Sequence, residues 1–121
     1  MIDLWHYTCG DHGAPGIAAT RCLLPNRHPW LPYPLVWLTD LDVPMRGPLG
    51  LTSNTLGCDR TQYRVRVAGD GAVPWSRYRR VIGRHLAYPF ESTPGAMPRH
   101  WWVSTQRVPI LSDPEETRCA P

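Results

Sequence analysis

A histidine near the start of the chain is the first residue whose type and position could do chemistry. His6 stands between Trp5 and Tyr7 in the stretch LWHYTC, residues 4–9, whose composition is typical of a β-strand. Histidine gains or loses a proton near neutral pH, and an imidazole held on a rigid strand can donate a hydrogen bond to a ligand. The alternative is a histidine that only hydrogen-bonds within a sheet. The single residue leaves both interpretations open.

Two short motifs could also support chemistry, and each has a structural alternative. Asp40 and Asp42 form a D-x-D motif that can hold a divalent metal ion, but an aspartate after a buried strand also caps turns. In CDRT, residues 58–61, an adjacent guanidinium would favour a reactive thiolate. A cysteine that simply packs at a strand start is the other interpretation. We predict no metal site.

Every permanently charged basic side chain in the sequence is an arginine. All 13 basic residues are Arg, and the formal net charge is +3. An excess this mild does not by itself indicate nucleic acid, although guanidinium groups bind phosphate and carboxylate bidentately. Arg77, Arg80 and Arg84 share one face of a predicted helix, which is either solvated surface or a phosphate track. Trp101 and Trp102 point to opposite faces of a predicted strand, so one of them could stack on a base.

The elements that must position these residues fit one small domain. The chain has 121 residues and is 42% hydrophobic, and its 10 Gly and 14 Pro indicate short elements with tight turns. The four cysteines form no CxxC pair, and no basic and apolar leader opens the sequence, so we expect reduced thiols in a cytoplasmic protein. No apolar run approaches the ~20 residues of a membrane span, so no membrane partner is expected.

Hydrophobic periodicity predicts the order β–α–β–loop–β–α–β. Strands are predicted over residues 2–8, 35–40, 60–68 and, broken near Pro109, 101–111. Helices are predicted over residues 14–20 and 76–87, the second capped by Ser76 and stopped by Pro89. This pattern predicts an α+β fold over residues 1–111, with a split mixed or antiparallel β-sheet and one or two short helices. Residues 112–121 are predicted to be a polar, frayed tail.

Three motifs in this order resemble the H-Y-(E/D) branch of the ADP-ribosyltransferase superfamily. They are HYT (residues 6–8) on the first strand, LLP (23–25) after the short helix and VWLTD (36–40) on the next strong strand. The resemblance covers roughly residues 4–110. A second set of motifs, LWHYTC, VWLTDLD, LGLTS, CDRT and HWWVS, resembles an uncharacterised family of actinobacterial or phage proteins. The first resemblance implies an ADP-ribosyltransferase-like fold and an enzyme that cleaves the nicotinamide–ribose bond of NAD and transfers ADP-ribose.

The resemblance implies a role for each matching residue. His6 would bond a ribose hydroxyl, the backbone of Tyr7 would bond the carboxamide, and Thr8 would support their strand. Trp37 stands where the family more often has Tyr and would stack on nicotinamide, while Thr39 would steady the strand end. The rings of His6 and Trp37 should therefore face each other across a slot. The candidates for binding the pyrophosphate are Arg21, Arg46 and Arg60.

The final predicted strand departs from the family because it contains no acid. The family's catalytic glutamate would fall near Arg99, His100 or Trp101. Glu91, just before this strand, could fold back and act as the carboxylate. His100 or Gln106 could substitute with a weaker electrostatic effect, or the domain could bind without catalysis. We predict Glu91 first and His100 second as catalytic residues.

Two functions from different classes follow. The first is a toxin-like ADP-ribosyltransferase with NAD as co-substrate and a nucleic acid base, a protein or a small molecule as acceptor. The second is a catalytically degenerate or unrelated α+β module that binds nucleic acid or protein. Removal of an RNA 2′-phosphate is a third and less favoured function, because it needs arginine and histidine around one phosphate.

Overall fold

The computed structural model describes residues 3–8, 14–42 and 61–117. Its strands are β1 (Leu4–Thr8), β2 (Cys22–Leu23), β3 (Val36–Thr39), β4 (Tyr63–Val67), β5 (Val73–Pro74), β6 (Trp101–Ser104), β7 (Val108–Pro109) and β8 (Glu115–Glu116). Its helices are α1 (Ala14–Thr20), α2 (Trp75–Ile82) and α3 (Arg84–Glu91), and a 3₁₀ turn spans Pro98–His100. Within these ranges, no helix is long and apolar enough to cross a lipid bilayer.

Six strands form the main sheet in the order β5-β6-β3-β1-β4-β8, and β2 pairs with β7 in a separate two-stranded sheet. Every strand pair is antiparallel. The predicted α+β class is therefore confirmed, and the sheet is antiparallel rather than mixed. β1 and β3 are not consecutive in the sequence, but they are neighbours near the centre of the main sheet.

Alternation along the strands divides the side chains between two hydrophobic cores. On one side of the sheet, which we call the α1 face, Ile17 of α1 packs against a cluster that includes Leu4, Val65 and Leu38. On the other side, the α2–α3 face, residues of both helices pack against Trp101 and Val103. Because successive residues of a strand point to opposite sides, the register between strands decides which side chains can meet.

The helix predicted over residues 76–87 is in fact two helices. Gly83 separates α2 from α3 with a φ of 88° and a ψ of 154°, a conformation that essentially only glycine adopts. Pro74 rather than Ser76 precedes the first turn, and no side chain caps it. Pro89 lies inside α3 and does not end it, because the backbone N–H of Ser92 still donates to the carbonyl of Tyr88 at 2.9 Å.

The segment that was predicted to fray contributes an edge strand. Residues Glu115–Glu116 form β8, which pairs with β4. The hydroxyl of Thr117 donates to the carbonyl oxygens of Thr61 at 2.6 Å and Gln62 at 3.1 Å. Residues 115 and 116 therefore belong to the sheet, and folded structure continues beyond residue 111.

Candidate functional site

His6 hydrogen-bonds within the sheet. It pairs with Val65 of β4, and its Nδ1 atom donates to the backbone carbonyl oxygen of Trp37 on β3 at 2.7 Å. The carbonyl can only accept, so this bond fixes a proton on Nδ1. The imidazole thus joins β1 to β3, which is the structural alternative that the sequence left open.

Trp37 lies on the opposite side of the sheet from His6. Thr39 pairs with Trp5, so Trp37, two residues before Thr39, shares the side of Trp5, whereas His6 follows Trp5 and points to the other side. The predicted slot between the two rings is therefore not formed. The physical reason is register, which places the two residues on different faces although their backbones touch.

Protein rings already surround the indole of Trp37. Its ring centroid lies 5.1 Å from that of Trp75, 5.5 Å from that of Phe90 and 6.1 Å from that of Trp101. Such tilted and edge-on contacts are the packing that aromatic side chains favour in a core. The stacking surface predicted for nicotinamide is used instead to build the α2–α3 face.

The carboxylate of Glu91, at the end of α3, hydrogen-bonds to side chains of α2 and not to the last strand. Its Oε2 accepts hydrogen bonds from Nε1 of Trp75 at 2.6 Å and Nε of Arg79 at 2.8 Å, and its Oε1 accepts from Nη2 of Arg79 at 3.2 Å. The hydrogen bonds and charge of this carboxylate raise the pKa of Arg79 above its ordinary value. Glu91 therefore ties the end of α3 to α2 and does not fold back toward β6 as predicted.

The imidazole of His100 contacts the carboxylate of Asp40, although the last predicted strand itself contains no acid. Its Nδ1 lies 2.6 Å from Oδ1 of Asp40, and Nε of Arg99 donates to its Nε2 at 3.3 Å. Nε1 of Trp102 donates to the other carboxylate oxygen of Asp40 at 3.3 Å. The side chains of His100 and Asp40 are each about a quarter exposed, at 26% and 27%. Asp40, at the end of β3, thus supplies in space the acid that is absent from β6.

Thr39 fixes the chain beside this pair. Its hydroxyl donates to the carbonyl oxygen of His100 at 2.9 Å and accepts from the backbone N–H of Leu41 at 3.1 Å. The backbone N–H of Asp40 also donates to the carbonyl of His100, at 3.2 Å. These bonds hold the end of β3 against the start of β6. We call Thr39, Asp40, Arg99 and His100 the polar edge.

Tyr7 and Arg64 lie next to the polar edge. The Tyr7 hydroxyl donates to the carbonyl oxygen of Leu41 at 3.1 Å, and burial raises the pKa of Tyr7 above its ordinary value. The Arg64 guanidinium stacks 4.4 Å from the centroid of the Trp5 ring. Its Nε donates to Oε1 of Glu115 at 2.7 Å. Arg64 is therefore already bound on the sheet.

The other predicted site residues lie apart from the polar edge or outside the described residues. Thr8 is buried at the end of β1. Arg21 forms an exposed ion pair with Asp113, and Gln106 accepts a hydrogen bond from Ser104 through its backbone carbonyl. Arg46 and Arg60 lie outside the described residues. Tyr7, Thr39 and His100 are the predicted residues that the fold brings close together.

Sequence reasoning missed a groove between the proline-rich loop and α3. Its volume is about 910 Å³, and it is lined by Pro29, Trp30, Arg84, His85, Leu86, Tyr88 and Pro89. Trp30 is 56% exposed and Tyr88 is 66% exposed. The signal in the sequence was the stretch PNRHPWLPYP, where prolines stiffen a loop that carries a tryptophan and an arginine. We call this feature the aromatic groove.

Three exposed arginines lie on the two helices. Arg77, Arg80 and Arg84 are exposed, and in residues 3–8, 14–42 and 61–117 no carboxylate forms an ion pair with them. We call these three the helix arginines. Because Gly83 breaks the helix, Arg84 begins α3 and does not continue the face of α2 that the sequence predicted. Their exposure leaves all three guanidinium groups available to an anion.

Negative charge lies at the far edge of the main sheet. Glu115 and Glu116 form β8, and Asp113 precedes it. β8 is one edge of the main sheet, and β5, which leads directly into α2, is the other. Two arginines balance the charge at this edge, because Arg64 pairs with Glu115 and Arg21 pairs with Asp113. Among the described residues, the helix arginines have no such partner.

Comparison with known proteins finds no match among family models, curated proteins or solved structures. The resemblance to ADP-ribosyltransferases therefore rests on the sequence motifs alone.

Proposed function

We propose that this chain is a nucleic-acid-binding module and that its contact surface is the α2–α3 pair. The observation that carries the proposal is the exposure of the helix arginines without a carboxylate partner in the described part of the chain. Guanidinium groups bind phosphate bidentately, and phosphate contacts supply most of the affinity of proteins for nucleic acid.

The number of helix arginines favours a polyanion over a single small anion. One phosphate or carboxylate would satisfy one guanidinium, whereas a chain of phosphates can satisfy several. The carboxylates of β8 lie at the opposite edge of the sheet, where Arg64 pairs with Glu115, so they do not neutralise the helix arginines.

The test measures binding of a fluorescently labelled oligonucleotide by anisotropy between about 50 and 200 mM salt. Affinity should fall as salt rises, because bound phosphates release counterions. Replacing Arg77, Arg80 and Arg84 together with Gln should make the logarithmic salt slope shallower by about two if three phosphates of a single strand are contacted.

A second triple variant controls for net charge. Arg21, Arg66 and Arg107 are exposed arginines away from α2 and α3, and their replacement with Gln removes the same total charge. This variant should keep most of the salt slope. Equal losses in the two triple variants, or no binding at the lowest salt, would contradict the proposal.

NAD-dependent ADP-ribosyl transfer is a second candidate, and the polar edge is what supports it. Three residues that the family resemblance selected, Tyr7, Thr39 and His100, lie near the end of β3, and Asp40 adds a carboxylate bound to His100. An aspartate that holds an imidazole in one tautomer is an arrangement suited to general acid–base catalysis. However, the described residues form no slot for a nicotinamide ring between His6 and Trp37.

This candidate is tested by titration calorimetry with NAD and by release of nicotinamide from NAD. If it is correct, the wild type binds NAD and releases nicotinamide, and both His100→Ala and Asp40→Asn lose the release. Glu91→Gln serves as a comparison because Glu91 is bound to Arg79 and Trp75. Absence of both binding and release in the wild type would remove this candidate.

A further inference from the structure

Binding to phosphates alone does not distinguish a duplex from an unpaired strand. We infer that the aromatic groove takes the unpaired bases of a single-stranded nucleic acid, with Trp30 and Tyr88 as stacking surfaces. The inference rests on the proposed function and adds the class of nucleic acid and the residues that recognise it.

The exposure of these two rings sets them apart from the aromatic residues of the core. Trp75 and Trp101 are 1% and 5% exposed, as is usual for large aromatic side chains in a core. Trp30 and Tyr88 are each more than half exposed and line the same groove. Every nucleic acid base has a flat aromatic face that can stack on such a ring, whatever its sequence.

The ring of Trp30 is held in place before any ligand arrives. It makes edge contacts with His28, at 5.1 Å between centroids, and with Phe90, at 5.5 Å. Its backbone N–H donates to Nδ1 of His28 at 3.1 Å, and the next residue, Leu31, is buried. A stacking surface that is already ordered costs little conformational entropy when a base binds.

The charge of the groove matches a nucleic acid strand. Arg84 lines the groove and is also one of the helix arginines, so the groove carries an exposed positive charge of its own. Among the described residues, no acid lines the groove. A peptide could also use tryptophan, tyrosine and arginine, which are enriched in protein interfaces. The unopposed positive charge of the adjoining helices favours a polyanion over a peptide.

The same geometry discriminates against a duplex. In double-stranded nucleic acid the base faces are stacked on each other and are out of reach of a protein ring. A duplex would therefore meet only the arginines, whereas a single strand would meet the arginines and both rings. Affinity for a single strand should exceed that for a duplex of the same sequence.

The experiment compares the two forms by anisotropy, with one mixed-sequence oligonucleotide either single or annealed to its complement. Trp30→Ala and Tyr88→Ala should each weaken binding of the single strand by about tenfold, in line with the stacking of one base on one ring. Binding of the duplex should not change. Trp30→Phe should restore most of the affinity, since it restores a stacking ring.

Tyr33→Ala is the matched control. Tyr33 follows Trp30 in the same proline-rich loop and is 55% exposed, but it does not line the groove. Its replacement should leave affinity for the single strand unchanged. Circular dichroism of each variant checks the fold, and Tyr88→Ala tests the groove from the helix side if Trp30→Ala disturbs the loop.

The outcomes separate this inference from the proposed function. If single strand and duplex bind equally and the aromatic variants have no effect, the inference fails while the proposal of nucleic acid binding stands. If no oligonucleotide of either form binds at low salt, both fail. Losses as large for Tyr33→Ala as for Trp30→Ala would also overturn the inference.

Discussion

At the scale of single residues, two buried tyrosines differ in what their hydroxyl groups contact. Tyr7 is 8% exposed and donates to the carbonyl oxygen of Leu41. Tyr78 is 6% exposed, and its hydroxyl has no hydrogen-bond partner among the described residues. A buried polar group without a partner loses its hydration and gains nothing in return. Removal of the hydroxyl should therefore lower the free energy of unfolding at Tyr7 and raise it at Tyr78.

Replacement of each tyrosine with Phe tests this difference. Tyr7→Phe should lower the free energy of unfolding by about 1 kcal/mol, because it leaves the carbonyl of Leu41 without its donor. Tyr78→Phe should raise it by up to about 1 kcal/mol, because it removes an unsatisfied hydroxyl. Urea unfolding at neutral pH measures both. A loss at Tyr78 as large as that at Tyr7 would show that the Tyr78 hydroxyl has a partner.

The two tyrosines also predict a loss of stability in alkali. Burial raises the pKa of both Tyr7 and Tyr78 above the ordinary value, so the unfolded chain gives up its phenolic protons at lower pH than the folded chain. The stabilisation is complete below the unfolded pKa of about 10 and is lost as pH rises through the higher folded value. Unfolding free energy measured across this range should fall less steeply in either Phe variant than in the wild type.

Residue types in the sequence pointed to some members of the polar edge but not to their partners. His100 was identified, but its carboxylate comes from Asp40, sixty residues earlier in the chain. Likewise, the alternation of side chains predicts which residues share a face within β1 and which share a face within β3. Only the pairing of Trp5 with Thr39 shows which face of β1 lies on the same side as which face of β3. A slip of one residue in that register would have put His6 and Trp37 on the same side. Register depends on the whole sheet, and for that reason the predicted slot was wrong.

At the scale of elements, Gly83 decides how the helical segment is divided. Hydrophobic and charged residues keep a helical period on both sides of it, so periodicity alone predicted one helix. The backbone at Gly83 instead has a φ of 88°, where an L side chain is strained. By contrast, the bounds predicted for α1, residues 14–20, match the structure. Periodicity thus identified helical residues but not the single position where the axis changes.

Gly83→Ala should destabilise the protein by about 1–3 kcal/mol. A methyl group at this position would meet no atom within 4 Å, so the cost comes from backbone strain alone. Gly16→Ala is the matched control, because Gly16 lies inside α1 and its methyl group would also meet nothing within 4 Å. Helix propensity predicts that Gly16→Ala is neutral or stabilising by up to about 1 kcal/mol. Thermal unfolding measures the stability of both variants. Equal changes in stability would contradict the argument that the positive φ at Gly83 requires glycine.

At the scale of the whole molecule, the order of the strands keeps the acids of β8 away from the helix arginines. β5 places α2 and its arginines at one edge of the main sheet, and β8 places Glu115 and Glu116 at the other. Composition gave only a net charge of +3, which is too small to indicate a partner. Among the described residues, the unpaired positive charge that supports nucleic acid binding comes from topology, since the acids that follow the last long strand return to β4, where Arg64 pairs with Glu115.

That return of the chain also ties residues 115–117 to the rest of the fold. The Thr117 hydroxyl donates to two backbone carbonyls of residues 61 and 62, and Nε of Arg64 donates to Glu115. A frayed tail would make none of these bonds, so the C-terminal segment should contribute to global stability. Thr117→Val, which keeps the shape but removes the donor, should lower the free energy of unfolding by about 1 kcal/mol.

Thr105→Val gives the reference for that measurement, because Thr105 is exposed in the bend after β6. Its replacement should change the free energy of unfolding by less than about 0.5 kcal/mol. If the Thr117 variant matched it, β8 would be a loosely attached edge, and the carboxylates it carries would not stay opposite the arginines. A clear loss for Thr117→Val alone would instead mean that this hydroxyl anchors the C-terminal segment to the folded sheet, which keeps the acids of β8 beside β4 and away from the helix arginines.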